Sequence, residues 1–201
     1  MKKIILTAII IAIGFGANAQ SMFGIHYPMG IPMGATKDHL SQASFRGIGL
    51  EGRYFVTDNL TIGMSFDWQV FYEEEGPQTF NEEVDFDGDG TPVTVYGKKY
   101  KYINALPMMV TGYYHFGEDG ELRPYIGTGI GVANMIQRSD LGLFSSDKNT
   151  WNFAMTPEVG VLIPINFNTA LTAAVTYNWA LKANDSITYS WLTFKVGFAF
   201  M

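Results

Sequence analysis

The sequence predicts an all-β protein: a transmembrane, eight-stranded, antiparallel up-and-down β-barrel that follows a cleaved N-terminal signal peptide. Three observations lead to this prediction. The N-terminus has the parts of a secretory signal, apolar and polar residues alternate with a period of two in segment after segment, and the connections alternate between short and long. Together they indicate an exported chain that crosses a membrane with strands.

Residues 1–19 are expected to be a signal peptide. Two lysines are followed by an apolar run from Ile4 to Phe15, and Ala17-Asn18-Ala19 supplies the small residues of a cleavage site before Gln20. The run is shorter than the ~20 apolar residues of a typical membrane-spanning helix. An N-terminal anchor helix is the alternative. The mature domain is then expected to comprise residues 20–201, with no periplasmic domain after the last strand.

The composition excludes several classes of function. The chain has no cysteine, so disulfides, thiolate metal sites, cysteine nucleophiles and a lipoprotein anchor are all excluded. Its net charge is −6, and loss of the two signal-peptide lysines makes the mature domain still more acidic. Nucleic-acid binding requires a basic face, so no nucleic acid is expected as a partner. Charged residues make up only 16% of the chain, against about 25% in typical globular proteins.

Alternation is clearest between Leu60 and Tyr72, where every second residue is large and apolar and most of those between are polar or glycine. A helix would place apolar residues three and four apart, so this segment is predicted to be a strand. The same test predicts seven further strands, around residues 22–30, 48–56, 105–116, 123–132, 151–165, 170–181 and 192–200. In the first, Pro28 and Pro32 cannot donate to a ladder, so they should lie near its outer end or at a bulge.

The connections predict the orientation of the barrel. Short turns are expected at residues 57–59, 117–121 and 166–169, and loops at 34–44, 73–98, 139–149 and 183–186. Short turns at one end and longer loops at the other are typical of outer-membrane barrels, with the turns in the periplasm.

The large apolar residues are expected to face lipid, because the lumen of an eight-stranded barrel has room only for side chains. The other face is mainly Gly, Ala, Ser and Thr with a few charges, which suits that lumen. A soluble β-barrel or sandwich is the alternative, since its sheets alternate in the same way. Aromatic residues near the strand ends predict two interfacial girdles: Tyr54, Tyr114, Phe116, Phe198 and Phe200 on the turn side, and Trp68, Tyr72, Tyr100, Tyr102, Trp151 and Trp179 on the loop side.

Three segments resemble the small eight-stranded outer-membrane β-barrel proteins, a porin-like family. They are FRGIGLEGRYFVTDNLTIGMSFDWQVFYE, RPYIGTGIGV and the ending WLTFKVGFAF, and the resemblance covers residues 20–201. It implies an integral protein of a Gram-negative outer membrane that contacts membrane lipid and lipopolysaccharide. The ending is similar to the family's signal for the barrel assembly machinery, except that Met201 follows the terminal aromatic Phe200.

Six charged residues fall on the inner face by parity, and buried charges must be paired. One reading is a salt-bridged plug, and the other is the lining of a narrow conduit. Because eight strands leave little lumen, the plug is favoured. The six are Glu51, Arg53, Asp67, Arg123, Glu158 and Lys195.

The segment Asp85-Phe86-Asp87-Gly88-Asp89-Gly90 resembles the first half of a calcium loop, in which alternate acids converge on the ion and glycine makes the turn. Asp85, Asp87 and Asp89 are the candidate ligands, but Tyr96 stands where the motif has its last glutamate. The other reading is a solvated acidic loop tip. No other cofactor is expected.

Catalysis is not predicted. The chain has only His26, His39 and His115, and none lies in a Ser–His–acid arrangement. The predicted function is non-enzymatic: a structural or interaction barrel, alone or as a subunit of a larger assembly with other outer-membrane proteins, docked through its loops. The alternative is a narrow porin-like channel for small solutes or apolar molecules.

Overall fold

The computed structural model describes residues 21–82, 93–118, 120–141, 144–183 and 186–201. Within these ranges eight antiparallel strands each pair with the next, and the last pairs with the first, so the barrel is closed. The predicted up-and-down barrel is confirmed. The strands are β1 Ser21–Met33, β2 Gly47–Phe55, β3 Leu60–Glu82, β4 Val93–His115, β5 Arg123–Leu141, β6 Phe144–Asn166, β7 Thr169–Ala180 and β8 Tyr189–Phe200.

One short helix, α1 (Gly34–His39), lies between β1 and β2. No helix in the described part of the chain is long and apolar enough to cross a membrane. The predicted signal peptide, residues 1–19, lies outside the described residues, as do Asp85, Asp87 and Asp89.

The predicted alternation of faces is observed. On β3, Ile62 and Met64 are exposed on the outer wall while Thr61 and Ser65 are buried in the lumen. The outer wall carries large apolar residues on every strand, including Trp68, Trp151 and Trp179 toward the loop side and Tyr114, Phe198 and Phe200 toward the turn side. A wall of this composition is suited to a bilayer with aromatic residues at both interfaces.

The prediction of loops at residues 73–98 and 139–149 is wrong, because the strands continue through most of both segments. β3 and β4 pair as far as Glu82 and Val93, and β5 and β6 pair as far as Leu141 and Phe144. Two glutamates of β3 face lysines across the ladder, Glu73 opposite Lys101 and Glu75 opposite Lys99. Such cross-strand pairs stabilise strands in water, so the hairpins extend beyond the membrane.

The two prolines of β1 lie where the ladder to β2 has ended. That ladder covers Ser21–His26. Further along, Gly30 exchanges backbone hydrogen bonds with Ser44 on the β2 side. Along a strand, the backbone N–H groups of residues two apart point to the same side. The nitrogens of Pro28 and Pro32 therefore also face the β2 side, so their missing N–H groups remove no hydrogen bond from the β1–β8 ladder. Pro32 lies at the outer end of β1, as predicted, whereas Pro28 lies near the middle of the strand.

Candidate functional site

The middle of the lumen holds a network of buried charges. Arg53 Nη2 lies 2.9 Å from Glu51 Oε2 and 3.4 Å from Glu158 Oε1. Lys195 Nζ lies 3.1 Å from Glu158 Oε2 and 3.2 Å from Asp67 Oδ2. Glu158 therefore joins the two cations, and the structure brings together five of the six charged residues that parity placed inside the barrel.

His26 extends this network. Its Nε2 lies 2.5 Å from Asp67 Oδ1. Nothing in the sequence indicated this contact, because Asp67 is 41 residues away. We call these six residues, His26, Glu51, Arg53, Asp67, Glu158 and Lys195, the charged layer.

Hydroxyl groups and aromatic rings also contact the charged layer. Thr176 donates a hydrogen bond of 2.7 Å to Glu158, and Tyr125 donates one of 3.0 Å to the same carboxylate. The guanidinium carbon of Arg53 lies 4.0 Å from the ring centre of Tyr113 and 4.5 Å from that of Tyr125. Cation–π contacts of this kind gain strength away from water, so the arginine is held by both charge and stacking.

The sixth predicted residue, Arg123, lies toward the turn-side end of the lumen. Its guanidinium donates to the backbone carbonyl of Asp58, and its Cζ lies 5.5 Å from the ring centre of Phe55. With Leu162 and Met201 it also lines a cavity of about 450 Å³ at the turn-side mouth.

Large side chains close the lumen on both sides of the charged layer. The turn-side layer comprises Met22, Phe55, Tyr113, Tyr125, Leu162, Ala174 and Ala199. The loop-side layer comprises Leu40, Phe71, Ile103, Ala105, Met109, Ala133, Met135, Ala154, Ala180, Tyr189 and Trp191. The expectation of a lumen filled mainly by small residues and charges is therefore wrong for its two ends.

Glycines on the inner face make room for these side chains. A Cβ added to Gly30 would lie 2.7 Å from the ring of Phe71, and one added to Gly160 would lie 2.5 Å from the ring of Tyr125. The loop-side layer is also fixed by polar contacts, because Trp191 Nε1 donates to Gln69 Oε1 at 2.7 Å. The small residues that the alternation placed inside the barrel thus leave the space into which the large side chains pack.

The segment after β1, predicted as a loop at residues 34–44, folds inward and covers the loop-side mouth. Gly34 has a φ of 51°, which allows the chain to turn out of β1. Thr36 and Leu40 are fully buried. The backbone N–H of Ser190 donates to Thr36 Oγ1 at 2.8 Å, and Leu40 packs in the loop-side layer.

His39 fastens the end of this segment to β5. Gln137 Nε2 lies 2.8 Å from His39 Nε2, and Gln137 Oε1 accepts a hydrogen bond from Tyr189 at 3.2 Å. The amide nitrogen therefore donates to the neutral imidazole. Burial lowers the pKa of His39, and the nearby Lys101 and Lys99 lower it further.

The remaining predicted sites have no arrangement that indicates catalysis. His115 is fully buried and its Nε2 contacts Thr61 Oγ1 at 3.0 Å, so neither lipid nor a solute reaches it. Among the described residues, no three His, Asp or Glu side chains are grouped as a metal site requires. Calcium binding by Asp85, Asp87 and Asp89 stays a prediction, because these residues are outside the described ranges.

Sequence comparison identifies the family. The model of the outer membrane protein beta-barrel domain matches residues 6–200. The chain belongs to this family. It is therefore an integral protein of the outer membrane, as the resemblance in the sequence implied. No curated protein matches the chain.

Solved structures share the fold. Neisserial surface protein A aligns with a TM-score of 0.59 at 16% identity, over 91% of this chain and 98% of that one. OprG from Pseudomonas aeruginosa aligns at 0.50 and 15% identity, over 92% and 97%. Ail, the attachment invasion locus protein of Yersinia pestis, aligns at 0.50 and 11% identity, over 90% and 97%. At these identities the likeness concerns the fold alone.

Proposed function

We propose that this protein is a non-enzymatic outer-membrane barrel that acts through its outer surfaces, as a structural or interaction protein. The observation that carries the proposal is the lumen, which is closed by two packed layers with a paired charged layer between them. A filled interior favours a barrel that does not pass solutes, in which contacts with other molecules are made by the wall and the extracellular hairpins.

The length of these hairpins supports the proposal. β3 continues for twelve residues beyond Val70, the last apolar residue of its outer face. At about 3.4 Å per residue and a tilt of about 40°, this places its end about 30 Å beyond the apolar band of the barrel. A rigid paired ladder of that length presents a large surface for other outer-membrane proteins. Attachment is part of the name of Ail, which shares the fold.

Electrical recording tests the closed lumen. The refolded barrel in a planar bilayer at neutral pH is expected to show no steady conductance, whereas a variant that empties the charged layer and the loop-side layer together should conduct. Purification of the native protein in gentle detergent after cross-linking should then recover a partner. Steady conductance by the unaltered barrel would overturn the proposal.

One observation favours the alternative, a narrow path for small solutes or apolar molecules. β1 continues to Met33, but its ladder with β2 stops at His26. Beyond that point the seam is held by the Gly30–Ser44 pair and by a hydrogen bond from Tyr27 to the carbonyl of Phe45. Uptake of an apolar dye by vesicles containing the barrel tests this path, and Ser44→Pro, which removes one seam bond, should increase uptake if the path operates.

The proposal also includes insertion by the barrel assembly machinery, which the alternating apolar residues of β8 support. It includes calcium binding by the loop at residues 85–90 as a secondary property. Isothermal titration of the refolded barrel and of an Asp85→Asn/Asp87→Asn/Asp89→Asn variant tests this. Absence of heat from the unaltered barrel at millimolar calcium would end the calcium hypothesis and leave the remainder intact.

A further inference from the structure

A polar aromatic patch lies on the outer wall directly above the apolar band. On β3 the outward residues from Leu60 to Val70 are apolar, a span of ten residue intervals. At about 3.4 Å per residue and a tilt of about 40°, this span is about 26 Å tall, close to the ~25 Å apolar band of such barrels. The next outward residue, Tyr72, therefore lies at the height of the lipid headgroups.

Three tyrosines and two arginines form the patch. The ring centres of Tyr72 and Tyr102 are 5.1 Å apart, and those of Tyr72 and Tyr100 are 6.4 Å apart. The guanidinium carbon of Arg46 lies 5.2 Å from the ring centre of Tyr72. On the other side, Arg138 stands opposite Tyr102 in the β4–β5 ladder. We call Arg46, Tyr72, Tyr100, Tyr102 and Arg138 the headgroup patch.

The two arginines differ in their partners. Arg138 Nε lies 2.9 Å from Asp140 and 3.7 Å from Asp147, so its charge is balanced within the protein. Arg46 is exposed and forms no ion pair with any residue that the structure describes; its guanidinium packs on Tyr72 instead. A cation that a ring holds in place, with its donors open to the outside, is prepared for an external anion.

We propose that the headgroup patch binds the phosphorylated saccharide headgroup of lipopolysaccharide. Arg46 donates to a phosphate, since the guanidinium fork matches phosphate oxygens, and the tyrosine rings pack against the sugars. The inference rests on the proposed function, an interaction barrel in the outer membrane, and it names one molecule that the wall contacts.

Position supports lipopolysaccharide over other anionic saccharides. The patch faces sideways from the wall, at headgroup height, toward molecules of the same leaflet. An extracellular polysaccharide would first meet the far end of β3, which is ten residues beyond Tyr72 and so about 26 Å higher by the strand rise and tilt given above. The acids Glu74, Asp140 and Asp147 near the patch are engaged with Lys98 and Arg138, which leaves Arg46 as the group that sets the local preference for an anion.

The test measures lipopolysaccharide bound to the barrel in phosphatidylcholine nanodiscs, by native mass spectrometry during titration with rough lipopolysaccharide. Arg46→Gln should weaken binding by about tenfold or more, the loss expected for a hydrogen bond between charged groups. Tyr72→Ala should weaken it severalfold. Arg46→Lys should restore part of the affinity, because it keeps the charge and loses the planar fork.

Two matched variants serve as controls. Tyr114→Ala removes an outward tyrosine at the turn side, and Lys37→Gln removes an exposed cation from α1, outside the patch. Both should bind like the unaltered barrel, and all variants should keep the gel mobility of the folded barrel. Dephosphorylated lipopolysaccharide should bind the unaltered barrel as weakly as the phosphorylated form binds Arg46→Gln.

Equal binding by Arg46→Gln and the unaltered barrel would overturn the inference, as would equal binding of dephosphorylated lipopolysaccharide. If the barrel binds no lipopolysaccharide but is non-conducting and recovers a protein partner, the inference fails and the proposed function stands. Steady conductance would instead count against the proposed function, whatever the titration shows.

Discussion

Ion pairs occur in two regions of this barrel that differ mainly in the water around them. In the charged layer, Lys195 and Glu158 lie 3.1 Å apart and both are buried. On the extracellular β3–β4 hairpin, Lys98 and Glu74 lie 2.6 Å apart with both side chains largely exposed. Water screens the exposed pair and solvates either partner alone. In the lumen, no water is available to solvate a charge that has lost its partner.

The comparison separates two uses of the same chemistry. On the hairpin, opposite charges only help to hold two strands in register, and either partner is replaceable. In the lumen, Asp67 and Glu158 pair with basic side chains on other strands, so the charged layer links the packing of β1, β2, β3, β6 and β8. The packing of the middle of the lumen depends on the second kind of pair.

Removal of Glu158 should have the largest effect, because it leaves both Arg53 and Lys195 without one of their carboxylates. Glu158→Met is expected to lower the free energy of unfolding by about 3–5 kcal/mol, the cost of breaking a buried pair. Urea unfolding in lipid vesicles, followed by gel mobility, measures this.

The matched control removes the cation as well. In Glu158→Met/Lys195→Met, Arg53 keeps Glu51 and Asp67 keeps His26, so each remaining charge has a partner. Replacing both members of a buried pair by apolar residues is often close to neutral, so the double variant should recover more than half of the loss. If it is less stable than the single variant, the pairing account of the charged layer is wrong.

The sequence predicted these charges but not their partners. Parity placed Glu158 and Arg53 on the inner face, yet their contact spans 105 residues and depends on how far each strand is shifted against its neighbours. The same limit explains Phe71, since its space is provided by Gly30 on another strand. It also explains the hairpin at residues 73–82, where the opposed lysines become visible only with the register. A pattern within one strand predicts faces, and contacts require the pairing between strands.

The second-largest loss of stability is expected in the loop-side layer, which closes the lumen without charges. Leu40→Ala should destabilise the inward-folded segment by about 2–3 kcal/mol, near the lower end for buried leucines, because the cavity forms at the edge of the layer. Hydrogen exchange should become faster for residues 34–40, and brief current openings should appear in bilayer recordings. Faster exchange throughout the barrel, instead of in this segment, would contradict a local closure.

Acidification should open the same segment more weakly. The pKa of His39 is lowered by burial and then by Lys101 and Lys99, so the folded state favours the neutral imidazole. This contribution is complete above the unfolded pKa of about 6.5 and is lost as the pH falls from there through the lowered pKa. Glu73 and Glu75, which also face His39, oppose the shift.

Hydrogen exchange at pH 7.5 and pH 5 measures this effect. After correction for the intrinsic rate, exchange of residues 34–40 should be faster at the lower pH, by less than the change that Leu40→Ala causes. His39→Gln should remove the pH dependence, because its amide does not titrate. A dependence that persists in His39→Gln would contradict the assignment of the effect to His39.

The smallest effect is expected on the exposed side of the comparison. Hydrogen bonding to Lys98 lowers the pKa of Glu74, yet Glu74→Gln should leave the urea midpoint unchanged within error, because water solvates the lysine that remains. The same measurement at low and high salt should give the same midpoint for both proteins. A loss of stability comparable to that of Glu158→Met would mean that the hairpin pair is shielded from water in the membrane, for example by a neighbouring molecule. The contrast between the buried and the exposed ion pairs would then describe the isolated barrel only.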